Sequence, residues 1–379
     1  GTVLERPSAR NRPPSAGHEP PADHGPAPAA QERAGPPRIE TLSGGLPVII
    51  QRSPLSHTVL IRAVFAGAVT APVVELRRNE PAWGLTSLEA EFLSDDLPAA
   101  IARFRSMLQQ AQAAPLADEE PEALEPATRL EAHFRDLLGL KTTPGSAPIA
   151  PMLLLVAGDV RPEQAVTGLE AAFGSLAPAA RPVRGARNAP HRLAVESVTA
   201  RSVAQEQLGY LVAAPGPGEP AALAWQMLLY IFSHGYEGRL GKEAISRRGL
   251  VYYIDSAYRS DGVNGWITLS TGVDPGKTAA MKALLRKELR RLLREPPSAA
   301  EIDEARRHLL GRRLSAALSN PELADRLARD WAWYGELQDY ESLQRRLEAV
   351  SREQIVAAAQ AFASGSVVAI RNRRNDLGN

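Results

Sequence analysis

Hydrophobic and polar positions along the chain follow one order twice. Thr86–Phe92 alternates as a strand, Asp95–Gln112 has the spacing of a helix, and Leu116–Glu120 is a polar stop before a further helix. Ile267–Val273, Pro275–Leu293 and Pro297–Glu301 repeat that order. Ser94 and Asp95 correspond to Val273 and Asp274, an offset of 179 residues. Self-similarity at a fixed offset marks a duplicated unit. The two copies are unequal. Ahead of the repeated strand the second copy has room for two helices, whereas the first has only Ala68–Leu85.

The remaining patterns fill in each half. Thr41–Leu42 and Leu46–Ile50 flank Ser43-Gly44-Gly45, a hairpin signal, and Thr58–Phe65 is a second apolar strand ending at Gly67. Met152–Val156 and Val367–Ile370 read as the terminal strands of the halves. Pro162 opens a helix that Gly174 ends. The second half starts with the strand Gln207–Val212 and the turn Pro215–Gly218. The helix Glu219–Ser233 follows, with Leu223, Met227, Leu228 and Ile231 on one face. Arg239–Arg248 is another helix, stopped by Gly249. Ser298 with Glu301, and Ser351 with Gln354, are capping boxes for later helices. Strands and helices in this mixed order predict α+β domains, each a mainly antiparallel sheet with helices on one side.

Residues 1–37 hold nine prolines and few large apolar side chains, which predicts a disordered lead-in. The expected domains are a shortened first one over 38–176 and a complete second one over 196–379, joined by a linker over 177–195. The start at Gly1 reads as a processed or trimmed chain. Basic and acidic side chains nearly cancel, 44 against 43, so no electrostatic case exists for nucleic acid as a partner. No apolar run reaches the roughly 18 residues of a membrane span. With no cysteine, disulfides and thiolate chemistry are excluded.

Four strings carry a family resemblance. They are Thr41-Leu-Ser-Gly-Gly-Leu-Pro-Val48, Val156-Ala-Gly-Asp-Val160, Gly238-Arg-Leu-Gly-Lys-Glu243 and Arg248-Gly-Leu-Val-Tyr252. In that order, on duplicated halves, they resemble the pitrilysin/insulinase-type zinc peptidases, in particular the short members similar to processing peptidases. The likeness covers roughly residues 38–375. It implies two homologous α+β domains closing like a clamshell around unfolded peptide. It also implies pairing of a zinc-bearing chain with a chain that lacks zinc.

The signature of that family is H-x-x-E-H on a helix of the first half. Two histidines on one helical face bind Zn²⁺, the glutamate activates the metal-bound water, and a later glutamate completes the ligands. The seven histidines here are His18, His24, His57, His133, His191, His234 and His308, and no two are three or four apart. The helix that would carry the signature matches Glu219–Ser233 of the second half; only Thr70–Asn79 stands there in the first. The histidines therefore read as structural or solvated. Glu119, Glu120, Glu122 and Glu125 read as an acidic helix start rather than a distal metal ligand.

The family's second half contributes an arginine and a tyrosine seven residues apart that polarise the substrate carbonyl. Tyr252 matches the tyrosine, next to Tyr253, but Ile245 stands at the arginine position, with Arg247 and Arg248 nearby. Tyr252 and Tyr253 are thus candidate substrate-binding residues, set against an ordinary place at a domain edge. The Trp331–Trp333–Tyr334 cluster is expected in the core of the second half. The shortened first half is expected to expose an apolar face suited to a partner.

These readings converge on a pseudo-peptidase with no metal or cofactor of its own. Its expected partners are a zinc-bearing homologous subunit and peptide substrate, and its expected compartment is the bacterial periplasm rather than the cytoplasm. The alternative is a stand-alone peptide-binding or scaffold protein on the same fold.

Overall fold

The computed structural model describes residues 35–82, 84–113, 126–139, 149–180, 194–199 and 204–372. Nearly all of the expected lead-in, the polar stop at 116–120 and positions 181–193 of the expected linker lie outside the described residues. The first half runs β1 (Arg38–Thr41), β2 (Pro47–Arg52), β3 (Thr58–Ala66), a two-residue β4 (Val69–Thr70), β5 (Arg77–Ala82) and β6 (Leu85–Leu93). It continues with α1 (Leu97–Leu108), a two-residue β7 (Gln112–Ala113), α2 (Pro126–Leu137), β8 (Leu153–Gly158) and α3 (Pro162–Phe173). The second half runs β9 (Ala194–Thr199), β10 (Glu206–Ala214), α4 (Ala222–Ser233), α5 (Arg239–Gly241) with a π-helical turn over Lys242–Arg247, β11 (Asp255–Ser260) and β12 (Gly265–Val273). Then come α6 (Thr278–Arg294), α7 (Ala299–Ser315), α8 (Asn320–Tyr334), α9 (Tyr340–Glu348), α10 (Arg352–Phe362) and β13 (Ser366–Asn372).

The duplication is visible in the sheets. The first is ordered β1-β2-β8-β3-β6-β5 and the second β11-β12-β10-β13-β9. Read from β5 and β11, the two match strand for strand, with β1 as an addition. Only β2 with β8 and β9 with β13 are parallel within these sheets; the other neighbours are antiparallel. The described residues thus form two α+β halves of matching strand order. The missing segment is equally visible: α4, α5 and the π-helical turn lie between β10 and β11, whereas β3 and β5 are joined by residues 67–76 with only β4. The helix expected over Asp95–Gln112 is shorter, Leu97–Leu108, with the Asp96 side chain accepting from the Ala99 N–H. β9 begins inside the stretch expected to be linker.

Strand β3 shows how the layers form. Its odd positions, Val59, Ile61, Ala63 and Phe65, are buried against Ile101 and Phe104 of α1 and Leu169 and Phe173 of α3. Its even positions Leu60 and Val64 face the other way, into a core with Leu323, Ala324, Leu327 and Ala328 of α8. Period two along a strand separates these two sets. A helix from the second half therefore covers the far face of the first sheet. The exchange is mutual. In the second sheet Leu208, Tyr210 and Val212 join the core of α4, α6 and α10, while Leu211, Trp266, Val368 and Ile370 pack under Leu130 and Phe134 of α2. Gly209 permits that approach, because a Cβ there would lie 2.6 Å from the Phe134 ring. Helices on one side only, as the sequence pattern suggested, is corrected by this exchange.

Two further expectations are corrected. The shortened half does not present a bare apolar face among the described residues. Val69 and Leu76 of the short connection are buried in the α1–α3 core, and Ala71 and Val73 pack against it. The tryptophan cluster belongs to the last turn of α8, and Trp331 and Trp333 pack on the core of the first sheet, not of the second. Helix α8 ends there because Gly335 takes a left-handed conformation at φ 75°.

The docking of α8 rests on a buried charge. Arg62, at an even position of β3, is fully buried. It lies opposite Glu89 of β6 in the register, and its Nε donates to Glu89 Oε2 at 2.8 Å. Its Nη1 lies 2.6 Å from Asp325 of α8, and Arg77 of β5 adds a contact to Glu89 at 3.4 Å. Asn320, at the start of α8, donates to Thr58 Oγ1 at 3.0 Å.

Removing one partner of such a cluster leaves a buried charge uncompensated. Arg62→Ala is therefore expected to cost about 3–5 kcal/mol, while changing Arg62, Glu89 and Asp325 together to Met, Leu and Leu recovers most of it. Urea unfolding followed by tryptophan fluorescence measures both. A loss below about 1 kcal/mol for Arg62→Ala would overturn this account of the docking.

Candidate functional site

The two halves enclose a cavity of about 650 Å³. Its walls come from β5 of the first half, from α4, β11 and α7 of the second, and from the exchanged helix α8. That volume is within the usual range for ligand sites. β5 and β11 are the last strands of their sheets in the same direction, and both line the cavity.

One wall is a triangle of rings. Tyr230 on α4 stacks on His234, one turn later, with centroids 4.5 Å apart. It also stacks on His308 of α7 at 4.3 Å, and the two imidazoles are 4.4 Å apart. The Tyr230 hydroxyl donates to Glu304 at 3.1 Å. Burial, then His234 and Arg312, pulls the His308 pKa down to about 4. Burial and Arg312 lower His234 as well. Near neutral pH this wall carries uncharged imidazoles.

The facing wall carries aromatic and cationic groups. Tyr258 of β11 meets Trp333 of α8 edge to face at 5.3 Å, and its hydroxyl donates to the Pro215 carbonyl at 2.6 Å. Arg329 stacks over Trp333 at 5.8 Å, and Arg346 over Tyr334 at 5.6 Å. Arg313 of α7 pairs with Asp330 of α8 at 2.8 Å, both nearly buried.

Tyr252 and Tyr253 lie elsewhere. They sit in the loop between the π-helical turn and β11, 73% and 46% exposed, and neither lines the cavity. The Tyr253 carbonyl accepts from the Thr271 hydroxyl at 2.5 Å, which ties the loop to β12. Ile245 packs against the core of the second half. Arg247 and Arg248 are both turned to Glu243, at 2.5 and 3.6 Å. In the string 238–243, Arg239 has a structural part. It grips Glu301 of the Ser298 capping box through two contacts of 2.7 and 2.8 Å, joining α5 to α7. Burial alone would raise the Glu301 pKa, but Arg239 and Ser298 hold it at about 2.

Zinc, which this architecture implies in other proteins, does not fit here. Among the described residues no three His, Cys, Asp or Glu come together to hold a metal. The segment 67–76, which stands where the metal-bearing helix would be, contains no histidine. His57 is exposed on the turn between β2 and β3, 3.7 Å from Asp159. The ring triangle escaped the sequence reading. Tyr230 and His234 show helical spacing, but nothing in the sequence links them to His308 on a separate helix.

Depressed histidine pKa values make the fold acid-sensitive. The unfolded chain takes up protons on His308 and His234 below about pH 6.5, while the folded chain resists until about pH 4 at His308. The contribution is present above pH 6.5 and is lost as pH falls toward 4. A pH series of thermal melts should show less acid destabilisation for His308→Gln than for the unmodified chain between these limits. Parallel pH dependence in the two would overturn this role for His308.

Comparison with known proteins places this geometry. Residues 150–309 match the family described as Peptidase M16 inactive domain. A comparison with curated proteins finds no match. Among solved structures, a peptidase M16 inactive domain from Pseudomonas fluorescens is 13% identical, with 89% of this chain and 98% of that one covered at a TM-score of 0.66. A protease from Helicobacter pylori is 14% identical, with 89% and 99% covered at 0.65. The first half of the periplasmic protease PqqL from Escherichia coli is 12% identical, with 90% and 93% covered at 0.63. At these identities the structures share the fold. The matched segment runs from just before β8 into α7, across both halves. The matched segment is similar to that family, and the chain as a whole shares the fold of these M16-like structures.

Proposed function

We propose that this M16-like protein is a non-catalytic partner that holds peptide between its halves for a zinc-bearing homologue. The observation that carries the reading is the cavity flanked by β5 and β11. A terminal strand offers its backbone groups to an added extended peptide, and the aromatic walls take the side chains. Its 379 residues contain no H-x-x-E-H string, so in this reading the chemistry belongs to another chain. The match of residues 150–309 to an inactive peptidase domain agrees with that division. The periplasm is the proposed compartment, by analogy with PqqL, described as a periplasmic protease.

One observation favours the second reading, a stand-alone peptide-binding protein. The short connection 67–76 closes the apolar face on which a partner was expected to dock. A heterodimer then needs another surface, and a stable one would bury over about 2,000 Å². In either reading Tyr252 and Tyr253 are placed to guide peptide at the surface, with Tyr252 lacking the arginine that would let it polarise a carbonyl.

Co-expression with an H-x-x-E-H homologue from the same source tests the choice. The paired reading expects a co-eluting complex that cleaves peptide, with about one zinc, all on the other chain. Zinc bound stoichiometrically by the isolated chain after dialysis would overturn both readings. A zinc chain equally active and monomeric alone would overturn the paired one. In the reconstituted complex, Tyr252→Phe should change peptide cleavage by less than roughly tenfold, about 1.4 kcal/mol. A hundredfold fall with assembly intact would assign catalysis to the phenol.

A further inference from the structure

The cavity wall formed by α7 and α8 gathers arginines, three of which have no carboxylate bound to them. Arg312, Arg326 and Arg329 have no hydrogen-bonded or ion-paired carboxylate among the described residues. Of the α8 carboxylates lining the cavity, Asp330 is engaged by Arg313 and Asp325 by the buried Arg62, while Glu322 has no ion pair among the described residues. Two polar atoms of this wall, Arg326 Nε and Arg313 Nη2, are buried without a hydrogen-bond partner, and the Arg313 side chain is only 10% exposed. A buried donor left unsatisfied costs free energy. The guanidinium groups also repel one another. Burial and Arg313 lower the pKa of Arg326; burial and Arg312 lower that of Arg329. Like charges held together around a cavity are relieved by an anion between them. Guanidinium groups suit carboxylates because their fork of donors matches two oxygens.

We infer that this wall selects acidic peptides, with Asp or Glu side chains seated against Arg312, Arg326 and Arg329 while the backbone lies along β5 and β11. The inference rests on the peptide-holding reading and names its substrate class. The two terminal strands favour a peptide over a small anion, because a free anion would use the guanidinium groups and leave the strand edges unused. Arg313 remains paired to Asp330 and is not one of the seats.

Three fluorescently labelled peptides of equal length separate the possibilities on the full chain. One carries alternating Glu, one Gln and one Lys at the same positions, and binding is read by anisotropy. The acidic peptide should bind at least about tenfold more tightly than the Gln peptide, with the advantage shrinking as salt rises. Arg326→Gln should remove most of that advantage and leave the Gln peptide's affinity unchanged. Arg312→Gln, at an exposed position, supplies the same test if the buried variant does not fold. Equal affinity for the Glu and Gln peptides, or a preference that survives both variants, overturns the selection of acidic peptides and leaves peptide holding intact. Binding of none of the three overturns the peptide-holding reading, and this inference with it. Inorganic phosphate that binds as tightly as the acidic peptide and displaces it assigns the wall to a free anion and overturns the peptide assignment.

Discussion

A buried arginine in the middle of a strand governs how the halves are joined. Arg62 sits where period two calls for an apolar side chain, inside the first sheet and beneath α8. A fully buried cation is tolerable only when paired and hydrogen-bonded. Glu89 supplies one partner from the neighbouring strand, and Asp325 supplies the other from a helix more than two hundred residues later. The charge thus fixes which helix covers this face, and in what register, a choice that apolar packing alone leaves loose. Leucines and alanines of α8 contribute the area; Arg62 contributes the specificity.

The cavity follows from that placement. With α8 pinned to the first sheet, its other side faces the second half, and the two helices α7 and α8 confront each other through arginines. Asp330 satisfies Arg313, and its second oxygen also accepts the Gln338 N–H. The reciprocal docking of α2 on the second sheet makes the two halves interdependent. Neither half buries both faces of its own sheet without a helix from the other. Helix α8 both joins the halves and lines the cavity.

The two copies differ most in one connection. In the second half, the helices between β10 and β11 cover one face of the sheet with Leu228, Ile231 and Phe232. In the first half the corresponding connection is too short for a helix, yet Val69, Val73 and Leu76 fill part of the same place. The duplicated fold survives the loss because α1 and α3 close the rest of that face. The first half has no helix at this place, and its segment 67–76 contains no histidine.

Much of the fold was legible along the chain. Period-two strands, capping boxes at Ser298 and Ser351, the proline at the start of α3 and the offset between the halves are local signals, each written within a few residues. So is the missing H-x-x-E-H string, which is a matter of composition and spacing alone. The exchange of α2 and α8, the burial of Arg62, the closure of the shortened face and the triangle of Tyr230, His234 and His308 were not legible. Each depends on residues brought together from distant parts of the chain, and the pattern of a single helix does not say which sheet it will cover. The elements, their duplication and the short connection of the first half can be read along the chain, because they follow from short-range periodicity and residue chemistry. Which half each helix serves, and where the cations converge, emerges only in three dimensions, because burial and charge pairing are settled between elements rather than within them.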